Sequence, residues 1–196
     1  MIVLGSHLIN TPVMGLQTGS ELAKTDSPII DPETLSIKAY LIKGPLIDAK
    51  ESMLTVEDIR EIGDVGMIVD SSDVFMALED VIKIHEVYEL RFPLLGLAVR
   101  DERGRKLGKI IDYTLDIASF IIQQLTVKRP FLQSLNDTEL VIHRSQIVSI
   151  DNRGIVVRSG AKAIEPEQTY ATSPYVNPFR KADPHSEPQA SVTHSD

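Results

Sequence analysis

The stretch from Leu94 to Lys128, LLGLAVRDERGRKLGKIIDYTLDIASFIIQQLTVK, admits few folds. Short runs of aliphatic and β-branched residues alternate with Gly and Asp, the punctuation of strands and tight turns. It reads as a strand LLGLAV, a turn RDERGRK, a second strand LGKIIDYTL, a connection over Asp116–Ala118, and a third strand SFIIQQLTV.

A weaker copy of this pattern lies upstream. Setting Gly19 on Gly104, an offset of 85, brings Leu22 onto Leu107, Lys24 onto Lys109, Asp31 onto Asp116 and Leu35 onto Phe120. A further shift of three sets Ile59 on Ile147, Ile62 on Ile150, Gly66 on Gly154, and Met67-Ile68-Val69 on Ile155-Val156-Val157. One matched glycine means little, whereas an ordered series with a single small gap is the mark of an internal duplication.

The rest of the chain falls around these two copies. In the first, Leu8 to Met14 reads as a short strand whose Pro12 suits a sheet edge. Gln17 to Ser20 is its turn, Asp26 to Glu33 holds two prolines, and Leu35, Ile37, Ala39 and Leu41 alternate along a half-buried strand. A short helix is expected from Thr55, with Asp58 as an approximate capping box and Gly63 as its end. From Asp73 to Arg91, Leu78, Val81, Ile82, His85 and Tyr88 recur at helical spacing, and a strand at Val74–Leu78 followed by a helix is equally compatible. The second copy continues through a loop at Pro130–Asp137, a strand at Glu139–His143, a tight turn at Asp151–Gly154 and a last strand at Ile155–Arg158. Small antiparallel strands closed by short turns point to barrels, which leave no exposed edge. Five of the eleven prolines fall after Ala161 among Ser, Thr, Glu and Gln, a composition expected to be disordered.

Zero cysteines exclude disulfides, thiolate metal sites and Cys nucleophiles. No apolar run approaches the roughly 20 residues that span a bilayer, and the N-terminus has no basic region of the signal-peptide kind. A cytoplasmic location is expected. The net charge of −8 is unevenly spread. Residues 1–88 hold 15 acidic against 6 basic side chains, whereas residues 89–160 hold 8 against 11. This split reads either as surface variation with attraction between the halves, or as a basic binding face on the second half alone.

The second copy resembles the PRC-barrel domain, known from the reaction-centre H subunit and from the C-terminal domain of the ribosome maturation factor. The resemblance rests on Leu95 to Val99, Gly104-Arg105-Lys106-Leu107-Gly108-Lys109-Ile110-Ile111-Asp112, the strand Phe120–Val127, and Arg144-Ser145-Gln146-Ile147 with Gly154 to Val157. The first copy resembles it more distantly and departs where Ala23 stands for the second glycine of the Gly-x-x-x-Gly spacing. The resemblance implies a mainly β chain of two tandem small antiparallel β-barrels with short helices. Its divisions are 1–74 for the first barrel, 75–90 for a linker with helical character, 91–160 for the second barrel, and 161–196 for a disordered tail. It brings no shared catalytic residues. Its members dock on ribosomal protein and RNA, on membrane-protein assemblies, or on cell-division proteins.

The residues themselves point to no catalysis, cofactor or metal. No two histidines are spaced as zinc ligands, and neither acidic cluster, Asp26-Asp31-Glu33 or Asp64-Asp70-Asp73, has EF-hand spacing. No phosphate-binding glycine loop and no nucleophile elbow is present. Asp112 and Asp116 suit the bonding of turn amides. One candidate surface remains: Arg100, Arg103, Arg105, Lys106 and Lys109 on the hairpin, with Lys128 and Arg129 at the end of the third strand. Asp101 and Glu102 interrupt it, and no aromatic residue interleaves with it for base stacking. The expectation is a non-enzymatic cytoplasmic adaptor for a protein partner. The alternative is an RNA- or ribosome-associated factor using the basic hairpin.

Overall fold

A computed structural model describes residues 1–45, 47, 51–130, 139–151 and 153–159. The segment 161–196 and most of the loop at Pro130–Asp137 lie outside the described residues. Residues Met1–Pro166 form one compact unit. It is mainly β, with a 14-stranded mixed sheet and one α-helix among the described residues.

In the first half, β1 is Ile2–Leu4, β2 Pro12–Gly15, β3 Ser20–Asp31, β4 Ser36–Lys43, β5 Ser52–Thr55, β6 Glu61–Gly63, β7 Gly66–Val69 and β8 Met76–Ala77. Strands β2 to β5 pair antiparallel in sequence order. The chain then returns through β6, so that β7 lies parallel to β2. After helix α1, Ile82–Glu89, come β9 Ala98–Asp101, β10 Lys106–Asp116, β11 Ile121–Lys128, β12 Glu139–His143, β13 Ile147–Asp151 and β14 Gly154–Val157. Their pairings follow the same order: β9 to β12 antiparallel in turn, and β14 parallel to β9.

Gly66 and Gly154 show why glycine stands at both returns. A Cβ on Gly66 would run into the carbonyl of Pro12, and one on Gly154 into that of Ala98. Both take positive φ, +122° and +158°, where L side chains are disfavoured. The close approach fixes each returning strand against the first strand of its half.

The expected pair of closed antiparallel barrels is not what the pairings form. The strands run in one path, β13-β14-β9-β10-β11-β4-β3-β2-β7-β6, and no pairing closes either half among the described residues. Alternation in a sequence assigns faces to a strand but not neighbours. The returning strands meet the first strands in parallel, which short turns alone do not foretell. Two pairings join the halves: Ile121 with Ser36, and β1 antiparallel to β10 at Ile2–Asp116, Val3–Leu115 and Leu4–Thr114.

Packing joins them more firmly. Val13, Ile37, Tyr40, Leu54 and Met67 share one apolar core with Val99, Ile110, Tyr113, Ile122 and Ile155. At roughly 1.5–3 kcal/mol for each large aliphatic side chain removed from water, this common core outweighs those few β-bridges. A smaller cluster, Ile29, Ala39, Met53 and Leu78, lies on the other face of β3–β5, and Ile84, Val87 and Tyr88 of α1 pack on it.

Several local expectations change. Leu94 to Leu97 form a turn rather than a strand, though Leu94 and Leu97 are buried. The helix expected from Thr55 is a single 3-10 turn, Val56–Asp58, because β6 begins at Glu61. Pro12 lies inside the sheet between β3 and β7. It is tolerated because it is the first residue of β2, before the register with β7 begins at Val13 and Met67. Pro28 sits within β3 at a register shift between Thr25 and Pro28, where a missing N–H disrupts least.

Candidate basic interface

The hairpin of β9 and β10 is built on Asp101. Its carboxylate is buried and accepts the backbone N–H of Arg103 at 3.0 Å and of Arg105 at 2.8 Å, with Arg105 Nε at 3.1 Å. Glu102 accepts the backbone N–H of Ser159 at 3.1 Å. The two acids that interrupt the basic run in sequence are therefore engaged by the fold itself. Asp101 faces inward, and Arg105, itself exposed, is tied to it.

What remains outside is a set of like charges in cross-strand register. Arg100 stands opposite Lys106, and Lys109 opposite Lys128. Such partners have Cβ atoms roughly 4.5–5.5 Å apart, and like charges placed so destabilise a sheet by a few tenths of a kcal/mol or more. All four are exposed, and none forms an ion pair among the described residues. Arg103 occupies the hairpin tip, and Arg129 is half-buried just past Lys128. Glu139 is the β12 partner of Lys128 in register.

The first half provides an internal comparison. Lys24 and Lys43 stand opposite one another at the positions matching Lys109 and Lys128. There, Glu21 lies 3.8 Å from Lys24, and Asp26 lies 2.8 Å from Lys43. The residues matching Glu21 and Asp26 in the second half are Lys106 and Ile111, and Ile111 is exposed. One half neutralises its lysine pair, and the other leaves it bare among the described residues.

The neighbouring outer surface differs in the same sense. In the first half, Ile29, Ala39, Leu41 and Met53 are apolar and belong to the cluster on which α1 packs. Their second-half counterparts are Thr114, Gln124, Thr126 and Val141, all partly exposed. A polar sheet face at Asp112, Thr114, Gln124 and Thr126 thus continues from the four cations, with the Asp112 carboxylate engaged by Ser6. Beside Arg100, a groove of about 240 Å³ is lined by Ala98, Arg100, Asp151, Arg153, Gly154, Ile155 and Val156. Asp151 accepts the backbone N–H groups of Arg153 and Gly154 at 2.7 and 3.0 Å. Arg153 is a cation that sequence reasoning misses, because only the parallel pairing of β14 with β9 brings it near Arg100.

Of the seven basic residues expected to form one surface, Arg100, Lys106, Lys109 and Lys128 share a face, Arg103 stands at its tip, Arg105 is held by Asp101, and Arg129 is half-buried just past Lys128. The expected turn roles of the aspartates divide. Asp116 accepts the Ala118 N–H and the Ser119 hydroxyl in its own turn. Asp112 instead accepts the backbone N–H and hydroxyl of Ser6, tying the N-terminal segment to β10. Elsewhere, no group of three or more His, Asp or Glu among the described residues is placed to hold a metal ion. Among them, too, no helix is long and apolar enough to cross a membrane. The chain matches no family model, and no curated protein is a significant match to it.

Proposed function

We propose that this chain is a non-enzymatic cytoplasmic adaptor that engages a protein partner through the outer face of its second half. Its scaffold is a duplicated module of the PRC-barrel kind, whose two copies share a core and have diverged on their outer faces. The observation that carries the reading is the contrast between Lys24–Lys43, with Glu21 and Asp26 beside them, and Lys109–Lys128, with no ion-pair partner among the described residues. A module that keeps a repulsive pair on one copy and neutralises it on the other has a use for the bare pair. Affinity capture from native cells tests this with the full chain, with a chain lacking residues 161–196, and with Lys106→Glu/Lys109→Glu. A specific partner retained by the first two and lost by the third supports the adaptor. Capture of nothing by any of them overturns it.

The same cations support a second reading, an RNA- or ribosome-associated factor. It is favoured by Arg103 at the hairpin tip beside four cations that form no ion pair among the described residues, since each phosphate contact adds to a salt-dependent affinity. Co-sedimentation with ribosomal particles that weakens steeply with salt, and is lost on charge reversal at Arg103 and Lys106, distinguishes it. Binding indifferent to salt contradicts it.

A further inference from the structure

We infer that the partner segment docked on the second half is an extended, carboxylate-rich peptide lying across the outer face of β9, β10 and β11; this rests on the adaptor reading above. The face presents two rows of cations, Arg100 with Lys106 and Lys109 with Lys128. Lys106 and Lys109 lie three residues apart on β10 with a register shift between Lys106 and Gly108, so the rows are roughly 7–10 Å apart at about 3.3 Å per residue. Alternate side chains of an extended peptide recur every ~6.6–7 Å on one face. Two acids at positions i and i+2 therefore each reach a row, and each carboxylate meets two cations.

The chemistry of the face favours carboxylates over a nucleic-acid strand. Ile111 and the part-exposed Thr114, Gln124 and Thr126 offer aliphatic and hydrogen-bonding contact alongside the charges. Tyr113 and Phe120, the aromatic residues of this hairpin and strand, are both buried in the core, so neither offers a stacking platform. The chain's net charge of −8 also opposes long-range attraction of a polyanion with a continuous backbone charge, while a short acidic segment meets the local field.

The first half supplies the design of the test. Lys106→Glu and Ile111→Asp place in the second half the acids that neutralise Lys24 and Lys43 in the first. Both sites are exposed, and folding of the double variant is checked by circular dichroism and thermal melting. Fluorescence anisotropy with the full chain uses two probes, a labelled peptide of alternating glutamate and serine, and labelled polyuridylate. The peptide binds the native chain at low ionic strength and weakens as salt rises, and the double variant binds it about tenfold more weakly, a loss of about 1.4 kcal/mol. Lys83→Glu, an exposed cation of α1, leaves the affinity unchanged. Peptide affinity equal in the native chain and the double variant overturns the inference, as does tight binding of polyuridylate with none of the peptide. A concentration-dependent dimer abolished by the same substitutions also overturns it, assigning the face to a second copy of the chain. If cellular capture of a protein partner survives Lys106→Glu/Ile111→Asp, the acidic-peptide inference fails while the adaptor reading stands. If no partner is captured by the native chain, the adaptor reading itself fails.

Discussion

Leu35 and Phe120 carry the same left-handed backbone, φ +52° at each, and meet where the two halves join. The N–H of Ile37 donates to the Phe120 carbonyl at 2.9 Å, and the N–H of Ile122 donates to the Leu35 carbonyl at 2.8 Å. Each residue follows an aspartate-capped turn, with Asp31 accepting from the Glu33 N–H and Asp116 from the Ala118 N–H. Glycine usually fills such a position, because a left-handed residue with a Cβ costs roughly 1–2 kcal/mol. Leu35 and Phe120 are kept there because their side chains are buried in the shared core.

That trade sets the first prediction. Replacing Leu35 with Gly relieves the backbone strain but empties a buried site whose large-to-small loss is about 2–5 kcal/mol. The net effect is destabilisation by about 1–3 kcal/mol, and Phe120→Gly loses at least as much. Urea unfolding measures it. A variant as stable as the native chain would mean that these side chains do not hold the halves together.

Two phenols in the core make stability depend on alkaline pH. Burial pushes the ionisation of Tyr40 far above its ordinary value of 10.0, with the nearby Tyr113 phenol adding to the effect. Burial raises Tyr113 likewise, helped by the Asp112 carboxylate. Both hydroxyls lack a hydrogen-bond partner among the described residues. In each case the folded pKa lies above the unfolded one, so the contribution is fully present below pH 10 and fades as pH rises beyond it. Each tyrosine then costs up to about 1.4 kcal/mol per pH unit as the unfolded chain ionises first. Tyr40→Phe is neutral or stabilising near neutral pH, by up to about 1 kcal/mol, and it flattens the loss of melting temperature above pH 10. A steep alkaline loss that persists in Tyr40→Phe/Tyr113→Phe contradicts this account.

The glycines divide by what surrounds them. Gly104 has positive φ but open space around its missing Cβ, so Gly104→Ala costs only the backbone term of roughly 1–2 kcal/mol. Gly154 abuts the Ala98 carbonyl, so Gly154→Ala must also push β14 away from β9. Its destabilisation exceeds that of Gly104→Ala by about 1–3 kcal/mol, on the scale of other strained backbone sites. Equal losses in thermal melts of the two variants would show that the close parallel approach carries no energetic weight.

Much of this was legible in the residues, and the rest was not for identifiable reasons. The β-branched run of β11 marks that strand, because one face is buried. The single buried face expected of β4 instead divides: Leu35 and Ile37 enter the shared core, and Ala39 and Leu41 lie with the smaller cluster on the other face, across a register shift. The matched Gly19 and Gly104 mark real turns, since both take positive φ. The long strand β3 is obscured by Pro28, which a register shift accommodates. The parallel return of β7 and β14 depends on contacts between residues far apart in the chain, so local pattern is silent on it. At the basic face, the lysines are plain in the sequence, but Asp101 reads as an interruption. Only the structure turns it inward, beneath the hairpin, and only the register places Lys109 opposite Lys128.

The bare lysine pair invites the most direct measurement, made on a single protein, Lys109→Glu. This change sets opposite charges across from each other at Lys128, worth a few tenths of a kcal/mol in a sheet, so the melting temperature at low salt stays level or rises. The same change removes a cation from the docking face, so affinity for the alternating glutamate–serine peptide falls, by about fivefold if a single ion pair near 1 kcal/mol is lost. Stability held or gained together with binding lost is the result predicted for a face kept for a partner. Unchanged peptide affinity in a folded Lys109→Glu protein would contradict it.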